Sequence, residues 1–413
     1  MLTEFMFGKP GAPRWEQRVG TELFVDRKAY TKALLYIRKH GATYLRAISI
    51  SALRSMATDF LKENFWYIGR AGLILDIEGP YLSHVTKEDK SALADALAAS
   101  PLFHPAAELT LYPLVPVRVT DRFDCERFFL IAAGELSSEQ LPPEAARREL
   151  SPSSFPPFLD LRGVRHKPSA WLGVRSPLEL VSNKMRAAIM GAVALTLLPR
   201  YRYQVTRQTV FGGRCTIAGN EVAISRLDEP HAPPLANDIT ITRTDHAWLT
   251  KLAALLDATD KSSRSQVRAL EYFYRAWFLD PRERFPVLCM TLDSLVGYTE
   301  NHTDGLVKYV KSTVDPSVDD KRLRLLMGVR GDVVHGRAPD VYDSKNYIQY
   351  YCKHQADPIF DLELIVARCL RVTIFSGDLA YHKDPNSELR EELRAKGRLS
   401  RNSGPDAIIA VDW

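Results

Sequence analysis

The feature that most constrains the fold is a change in hydrophobic period near residue 245. From there to about residue 380, apolar residues recur every three to four positions, as on the buried face of an amphipathic helix. Gly or Pro stands in several of the gaps, which indicates turns between helices. The segments are HAWLTKLAALLDA, SRSQVRALEYFYRAWF, ERFPVLCMTLDSLVGY, DGLVKYVKSTV, SVDDKRLRLLMGVRGDVVHG and DPIFDLELIVARCLRVTIFSGDLAY. This region is predicted to be an all-α bundle of normal domain size.

The front of the chain mixes predicted strands and helices. AGLILDIEG and ELTLYPLVPVRVT are apolar and β-branched, and Pro113 and Pro116 indicate an edge or bulged strand. Gly219 and Asn220 are typical of a hairpin turn between two further strands. Gly212 and Gly213 are too short a run for a phosphate-binding loop, and they are predicted to form a turn.

One front-half helix has clear sequence boundaries. Ser176 is predicted to cap it, with Glu179 completing a capping box, and Pro199 to end it. Its apolar stretch, Ala187 to Leu198, is the longest in the chain. A bilayer span needs about 20 such residues. This stretch is therefore predicted to be a buried helix, and no membrane partner is expected.

The fold class predicted from these patterns is α+β, with two domains and a tail. Residues 1–237 are predicted to form a mixed α/β domain, residues 238–400 the helical domain, and residues 401–413 the C-terminal tail. The segment DEPHAPPLAND, residues 228–238, is proline-rich and polar, which favours an exposed linker between the two domains.

Composition excludes several classes of protein. The five cysteines are scattered and form no C-x-x-C pair, so no disulfide framework or zinc site is predicted, and a reducing cytoplasm is the expected location. The N-terminus has an early acid and no apolar core, unlike a secretory signal peptide. The formal charge is +6 over residues 1–244 and zero over residues 245–400. That excess can steer a polyanion, or it can be an ordinary solvated surface. Neither a metal nor a cofactor is predicted.

Within the segment LLMGVRGDVVHGRAPD, Arg330 and His335 have four residues between them. Five helical positions separate two side chains by about 140°, so they do not stack as an i,i+4 pair would. His335 is predicted in the last helical turn, where the negative helix end favours an imidazolium ion. Such a pair also often only caps carbonyls and binds surface carboxylates. A second pair with the same spacing, Arg226 and His231, is predicted to lie in a proline-broken loop with no apolar stripe to hold it, and to have no function.

The order of these motifs resembles the HEPN superfamily, in particular its Apea-like branch. ALEYFYRAWFLDPRERFPVLCMTLDSLVG resembles that branch's two early helices, the second ending in an acidic residue before Leu, here Asp293. VRGDVVHGRAP resembles its Arg-x4-6-His signature, and the likeness covers about residues 245–380. WLGVRSPLELVSNKMRAAIMGAVALTLLPRYRYQ resembles the region that precedes this domain in some relatives. The residue after the arginine is commonly polar in the family, and here it is Gly331.

The resemblance implies a metal-independent endoribonuclease. Arg330 and His335 would be catalytic, Asp293 and Asp332 supporting, and Arg337 an RNA contact. Asp293 would be either a buried partner for Arg330 or part of an ordinary interhelical hydrogen bond. The family usually dimerises around a shared cleft, which implies a homodimer with RNA as substrate.

The resemblance also implies a biological role. Relatives of this build often act as toxins or in anti-phage defence, which implies that the N-terminal domain senses a phage or host trigger. The alternative is a non-catalytic HEPN module that binds a nucleotide or a protein, with Gly331 marking lost activity.

Overall fold

The chain forms two compact units in a computed structural model. The described residues are 27–46, 48–64, 85–106, 108–136, 141, 158–159, 165–207, 210–218, 221–297, 302–398 and 407–409. The first unit is Met1–Glu108 with Ser176–Val181, and the second is Leu109–Arg175 with Ser182–Trp413. Helices and an antiparallel sheet are both present, which confirms the α+β class.

The first unit is helical in its described part. Its helices are α1 (Arg27–His40), α2 (Ile50–Glu63) and α3 (Lys87–Ala99). Ser49 caps α2 and Thr86 caps α3, because each hydroxyl accepts a bond from a backbone N–H of the first turn. Apolar side chains of all three helices form one core. The strand predicted from AGLILDIEG lies outside the described residues.

The second unit contains a six-stranded sheet in the order β3-β4-β7-β1-β8-β9. The bounds are β1 (Glu108–Leu114), β2 (Val117–Val119), β3 (Phe123–Asp124), β4 (Phe128–Ala132), β5 (Phe158–Leu159), β6 (Arg165–His166), β7 (Ala170–Ser176), β8 (Gly212–Ala218), β9 (Glu221–Pro230) and β10 (Ile239–Ile241). β2 and β10 pair in parallel outside this sheet, and β5 pairs with β6. β8 and β9 pair antiparallel, as the predicted hairpin requires, whereas its turn residues Gly219 and Asn220 lie outside the described residues.

Two strand predictions were wrong. β1 lies inside the sheet, between β7 and β8, and is not an edge strand. Pro113 is the next-to-last residue of β1 and Pro116 follows the strand, so neither interrupts the middle of the ladder. Gly212 and Gly213 begin β8, and the left-handed φ of 101° at Gly213 accompanies a register shift there.

The long apolar stretch forms α4 (Glu179–Leu195), whose residues from Ala188 onward are all buried. Its start differs from the prediction, because Ser176 ends β7 and donates its hydroxyl to the Leu178 carbonyl instead of capping the helix. Pro199 begins the short α5 (Pro199–Arg202), where a first-turn proline needs no N–H partner. Within the described residues, no helix is both long and apolar enough to cross a membrane.

The predicted helical region is confirmed as a series of helices that pack on one another. Their apolar faces bury Trp248, Phe273, Phe285, Leu326 and Ile365. The bounds are α6 (His246–Asp257), α7 (Lys261–Phe278), α8 (Pro281–Val296), α9 (His302–Thr313), α10 (Asp320–Val334), α11 (Lys345–His354), α12 (Pro358–Phe375) and α13 (Ser387–Ala395). α10 contacts α8, α9, α11 and α12, so residues at its C-terminal end are held by several neighbours.

The segment 228–238 is not an exposed linker. Its first residues belong to β9, and His231, Ala232 and Leu235 are buried. The backbone of this segment is also hydrogen-bonded to the residues that follow α5. The Thr206 N–H donates to the Pro234 carbonyl, and the Ala236 N–H donates to the Gln204 carbonyl. The sheet and the helices of residues 238–400 belong to the same unit, and the chain divides into units elsewhere. This segment is therefore not expected to be a preferred site of limited proteolysis.

Candidate functional site

Helix α10 presents the predicted Arg–His pair at its C-terminal end. Asp319 caps the helix by accepting a bond from the Lys321 N–H at 3.0 Å, so α10 begins at Asp320. The inner face of α10 buries Leu323, Leu326 and Val329, whereas Val333 near its end is half-buried. His335 is the C-terminal cap and Gly336 follows with a φ of 67°.

Arg330 is held against the neighbouring helix by Asp293. Its Nη2 donates to Asp293 Oδ2 at 2.6 Å, a charge-assisted contact between α10 and α8. The Arg330 side chain is 12% exposed and that of Asp293 is 30% exposed, so the pair lies where the bundle meets solvent. The Nε of Arg330 is buried and has no hydrogen-bond partner within the described residues. Two roles were predicted for Asp293, and in the structure it is the hydrogen-bonded partner of Arg330.

The second oxygen of Asp293 contacts a histidine that the sequence analysis did not single out. His302 Nε2 lies 2.9 Å from Asp293 Oδ1, and the His302 side chain is 31% exposed. His302 is the first residue of α9, nine positions after Asp293 and beyond the end of α8. Helical periodicity cannot relate two residues that lie on different helices. The sequence therefore contained one hint of a polar contact here, the acidic Asp293 on an otherwise apolar helix.

His335 does not join this cluster. The imidazole is exposed, and within the described part of the chain no hydrogen bond or ion pair links it to Arg330. Its backbone N–H donates to the Gly331 carbonyl at 3.2 Å, so its backbone ends the helix. The structure therefore places Arg330 with Asp293 and His302, and leaves His335 apart on the surface.

Asp332 lies in the last turn of α10, and Arg337 lies in the turn that follows the helix. The Asp332 carboxylate accepts bonds from Ser344 Oγ at 2.7 Å and Asn346 Nδ2 at 2.9 Å, which fastens α10 to the start of α11. Its carbonyl accepts the Arg337 N–H at 2.8 Å, and the Arg337 side chain is exposed. Because α10 ends at Val334, Arg337 does not share a helical face with Arg330. Asp332 thus acts on the turn and not on Arg330.

Gly331 leaves open space beside the cluster. A Cβ built at this position meets nothing within 4 Å, and its backbone φ is not left-handed. The absence of a side chain is therefore not required by packing. An alanine here would fit without displacing a neighbour.

Cys289 lies one turn before Asp293 on α8 and faces the interior. Burial raises the pKa of the Cys289 thiol far above its usual range, and the nearby Arg330 charge only partly opposes this effect. A thiol held neutral in this way is a poor nucleophile. The chemistry of the cluster therefore rests on the guanidinium, the carboxylate and the imidazole.

Of the second pair, the Arg226 side chain lies outside the described residues, and His231 is not a loop residue without contacts. It is buried, Arg186 Nη1 donates to its Nδ1, and its Nε2 donates to the Gly213 carbonyl at 2.6 Å. Burial and the Arg186 charge lower the pKa of His231 to about 3. His231 is a neutral structural group, so its replacement by Ala is not the silent control that the sequence suggests.

A second histidine–carboxylate contact lies in a cavity of about 450 Å³ lined by Thr240, Thr242 and Trp248 among others. There His382 Nε2 lies 3.0 Å from Asp245 Oδ1. Burial opposes ionisation of Asp245, but hydrogen bonds from His382 and Trp248 outweigh it and lower the pKa of this carboxyl. Arg330 does not line this cavity, so the pair is a chemically matched reference for His302 and Asp293.

Among the described residues, no group of His, Cys, Asp and Glu side chains is arranged to hold a metal ion. No protein-family model matches the chain, and neither a curated protein nor a solved structure shows significant similarity to it.

Proposed function

We propose that this protein is a metal-independent endoribonuclease of the HEPN type, with Arg330 at its active centre. The observation that carries the proposal is the fixed guanidinium at the bundle surface. Asp293 holds one nitrogen of Arg330 at 2.6 Å, and 12% of the arginine side chain remains exposed to solvent. An arginine oriented in this way can bind two non-bridging phosphate oxygens and stabilise the charge of the transition state.

The proposed reaction is attack of a ribose 2′-hydroxyl on the adjacent phosphodiester. This step needs a base for the 2′-hydroxyl proton and an acid for the leaving 5′-oxygen, and imidazole can serve in either role near neutral pH. The exposed His335, in the turn that follows Arg330, is available for proton transfer. The products are a 2′,3′-cyclic phosphate and a 5′-hydroxyl.

A homodimer is part of the proposal. Arg330 and His335 are about 140° apart around α10 and do not contact each other. Two copies of the α10 end facing one cleft would let the arginine of one protomer work with the histidine of its partner. The exposed Val334 between them offers an apolar contact for that association.

The proposed setting is the cytoplasm, with the activity serving as a toxin or an anti-phage effector. A ribonuclease must be restrained in its own host cell, which favours a regulatory role for the N-terminal region. RNA is the proposed partner, and a phage or host molecule is the proposed trigger.

A non-catalytic binding module is the second candidate, favoured by one observation. Arg330 is largely buried and already paired with Asp293, as a purely structural arginine would be. In this case the exposed His335 and Arg337 would bind a nucleotide or a protein surface without bond cleavage.

Incubation of the purified protein with end-labelled RNA in EDTA separates the two functions. A ribonuclease of this type cuts the RNA and leaves 2′,3′-cyclic phosphate ends. These ends resist phosphatase until acid opens the cyclic phosphate, after which phosphatase removes the phosphate. RNA that is bound but remains intact over the same protein concentrations would refute the ribonuclease and support the binding module.

A further inference from the structure

The imidazole of His302 is oriented by Asp293 in a way that suits a proton acceptor. A carboxylate ion only accepts hydrogen bonds, so the 2.9 Å contact with Asp293 Oδ1 requires the hydrogen of His302 to be on Nε2. In the neutral ring, Nδ1 is then the basic nitrogen. Within the described chain, no hydrogen-bond partner occupies Nδ1, and the side chain is partly exposed.

Asp293 couples this imidazole to Arg330. One carboxylate oxygen fixes the histidine ring and the other fixes the guanidinium, so the two groups stand on opposite oxygens of one side chain. A carboxylate that orients a histidine also stabilises the imidazolium formed when the ring takes a proton. The exposed His335 has no such orienting partner among the described residues.

We infer that His302 is the general base of the reaction, a role that the Arg330 and His335 signature does not contain. This inference rests on the proposed ribonuclease function. The 2′-hydroxyl proton moves to Nδ1 of His302 while the O2′–P bond forms. Arg330 holds the phosphate oxygens, the P–O5′ bond breaks, and the leaving oxygen takes a proton from the imidazolium of His335. Solvent then returns both histidines to their starting states.

The first experiment compares His302→Ala and His302→Gln with wild-type protein in RNA cleavage. We expect both variants to lose about 10²–10⁴-fold in kcat/KM, the usual contribution of an acid or base. Glutamine can donate to Asp293 but cannot accept the proton, so it should preserve the position of Arg330 without restoring activity. Added imidazole should partly rescue His302→Ala and should not rescue His302→Gln, whose side chain occupies the space.

The second experiment distinguishes a base from an acid. RNA in which sulfur replaces the scissile 5′-oxygen has a leaving group that needs no proton. On this substrate His335→Ala should regain most of its lost rate, whereas His302→Ala should remain slow. The opposite pattern would overturn the assignment of His302 as the base.

His382→Gln is the matched control, because it breaks an equivalent Nε2–carboxylate contact with Asp245 in a cavity that Arg330 does not line. It should cleave RNA at the wild-type rate, and all variants should keep cooperative thermal unfolding. If folded His302 variants cleave RNA at the wild-type rate while Arg330→Ala is inactive, the role of His302 as the base is refuted. The proposed ribonuclease function would not be affected by that result. An inactive wild-type protein would refute both.

Discussion

The free energy of unfolding should depend on pH because His231 is buried as a neutral ring. In the folded protein this ring accepts a bond from Arg186 through Nδ1 and donates to the Gly213 carbonyl through Nε2. A proton on Nδ1 would therefore lie in a buried site and face the Arg186 guanidinium. This is why its pKa is lowered from 6.5 to about 3.

The sign follows from proton linkage. Between pH 6.5 and about 3 the unfolded chain binds a proton at His231 and the folded chain does not, so stability falls as the pH falls. The full effect is on the order of 5 kcal/mol, at about 1.4 kcal/mol for each pH unit. Between pH 7.5 and pH 5.0 the loss due to His231 should be about 2 kcal/mol.

Urea unfolding at these two pH values, with wild-type protein and His231→Gln, measures this loss. Glutamine can accept from Arg186 and donate to the Gly213 carbonyl, but it does not titrate. The difference in unfolding free energy between the two pH values should be about 2 kcal/mol smaller in the variant. An equal pH dependence in both proteins would refute the argument that His231 is buried and neutral.

Three further predictions concern other sites. Gly331→Ala should stabilise the protein by about 0.5–1 kcal/mol in urea unfolding, since alanine is the better helix former and its Cβ meets nothing; a loss of stability would contradict the open space there. Deletion of residues 405–413 should lower the free energy of unfolding by about 1–3 kcal/mol, because it removes the Ile408 N–H that donates to the buried Asp361 carboxylate. Deletion of residues 411–413 alone should lower it less. Equal melting temperatures for the two deletion variants would count against this contact. Light scattering should show a dimer that Val334→Glu weakens, and a monomer that still cleaves RNA would rule out the shared cleft.

The helices α6 to α10 and α12 could be predicted because each carries its own apolar period, a property of local sequence, whereas α11 was not predicted. Strand order could not be predicted in the same way. The interior position of β1 depends on its pairing with β7 and β8, which are distant in sequence, and Pro113 indicated an edge although it stands at the strand end. Segment 228–238 was misjudged for a related reason. Proline indicates a break in regular structure but not exposure, and here the break packs inside the unit.

The candidate site was predicted in part. Arg330 and Asp293 were identified from a helix order, and they lie in contact. His302 was missed because it comes together with Asp293 only when α9 turns back against α8. Asp332 was expected to support Arg330, but its carboxylate fastens the start of α11, because it points from α10 toward Ser344 and Asn346.

The most direct test of the central claim is the rate of RNA cleavage in EDTA by wild-type protein, Arg330→Ala and Arg330→Lys. The wild-type protein should cut the RNA, and Arg330→Ala should lose on the order of 10²–10³-fold in kcat, as when one donor to a transition-state oxyanion is removed. Arg330→Lys should recover little of this loss, since a point charge does not reproduce the two-pronged guanidinium. A folded Arg330→Ala protein that cuts RNA at the wild-type rate would contradict the account.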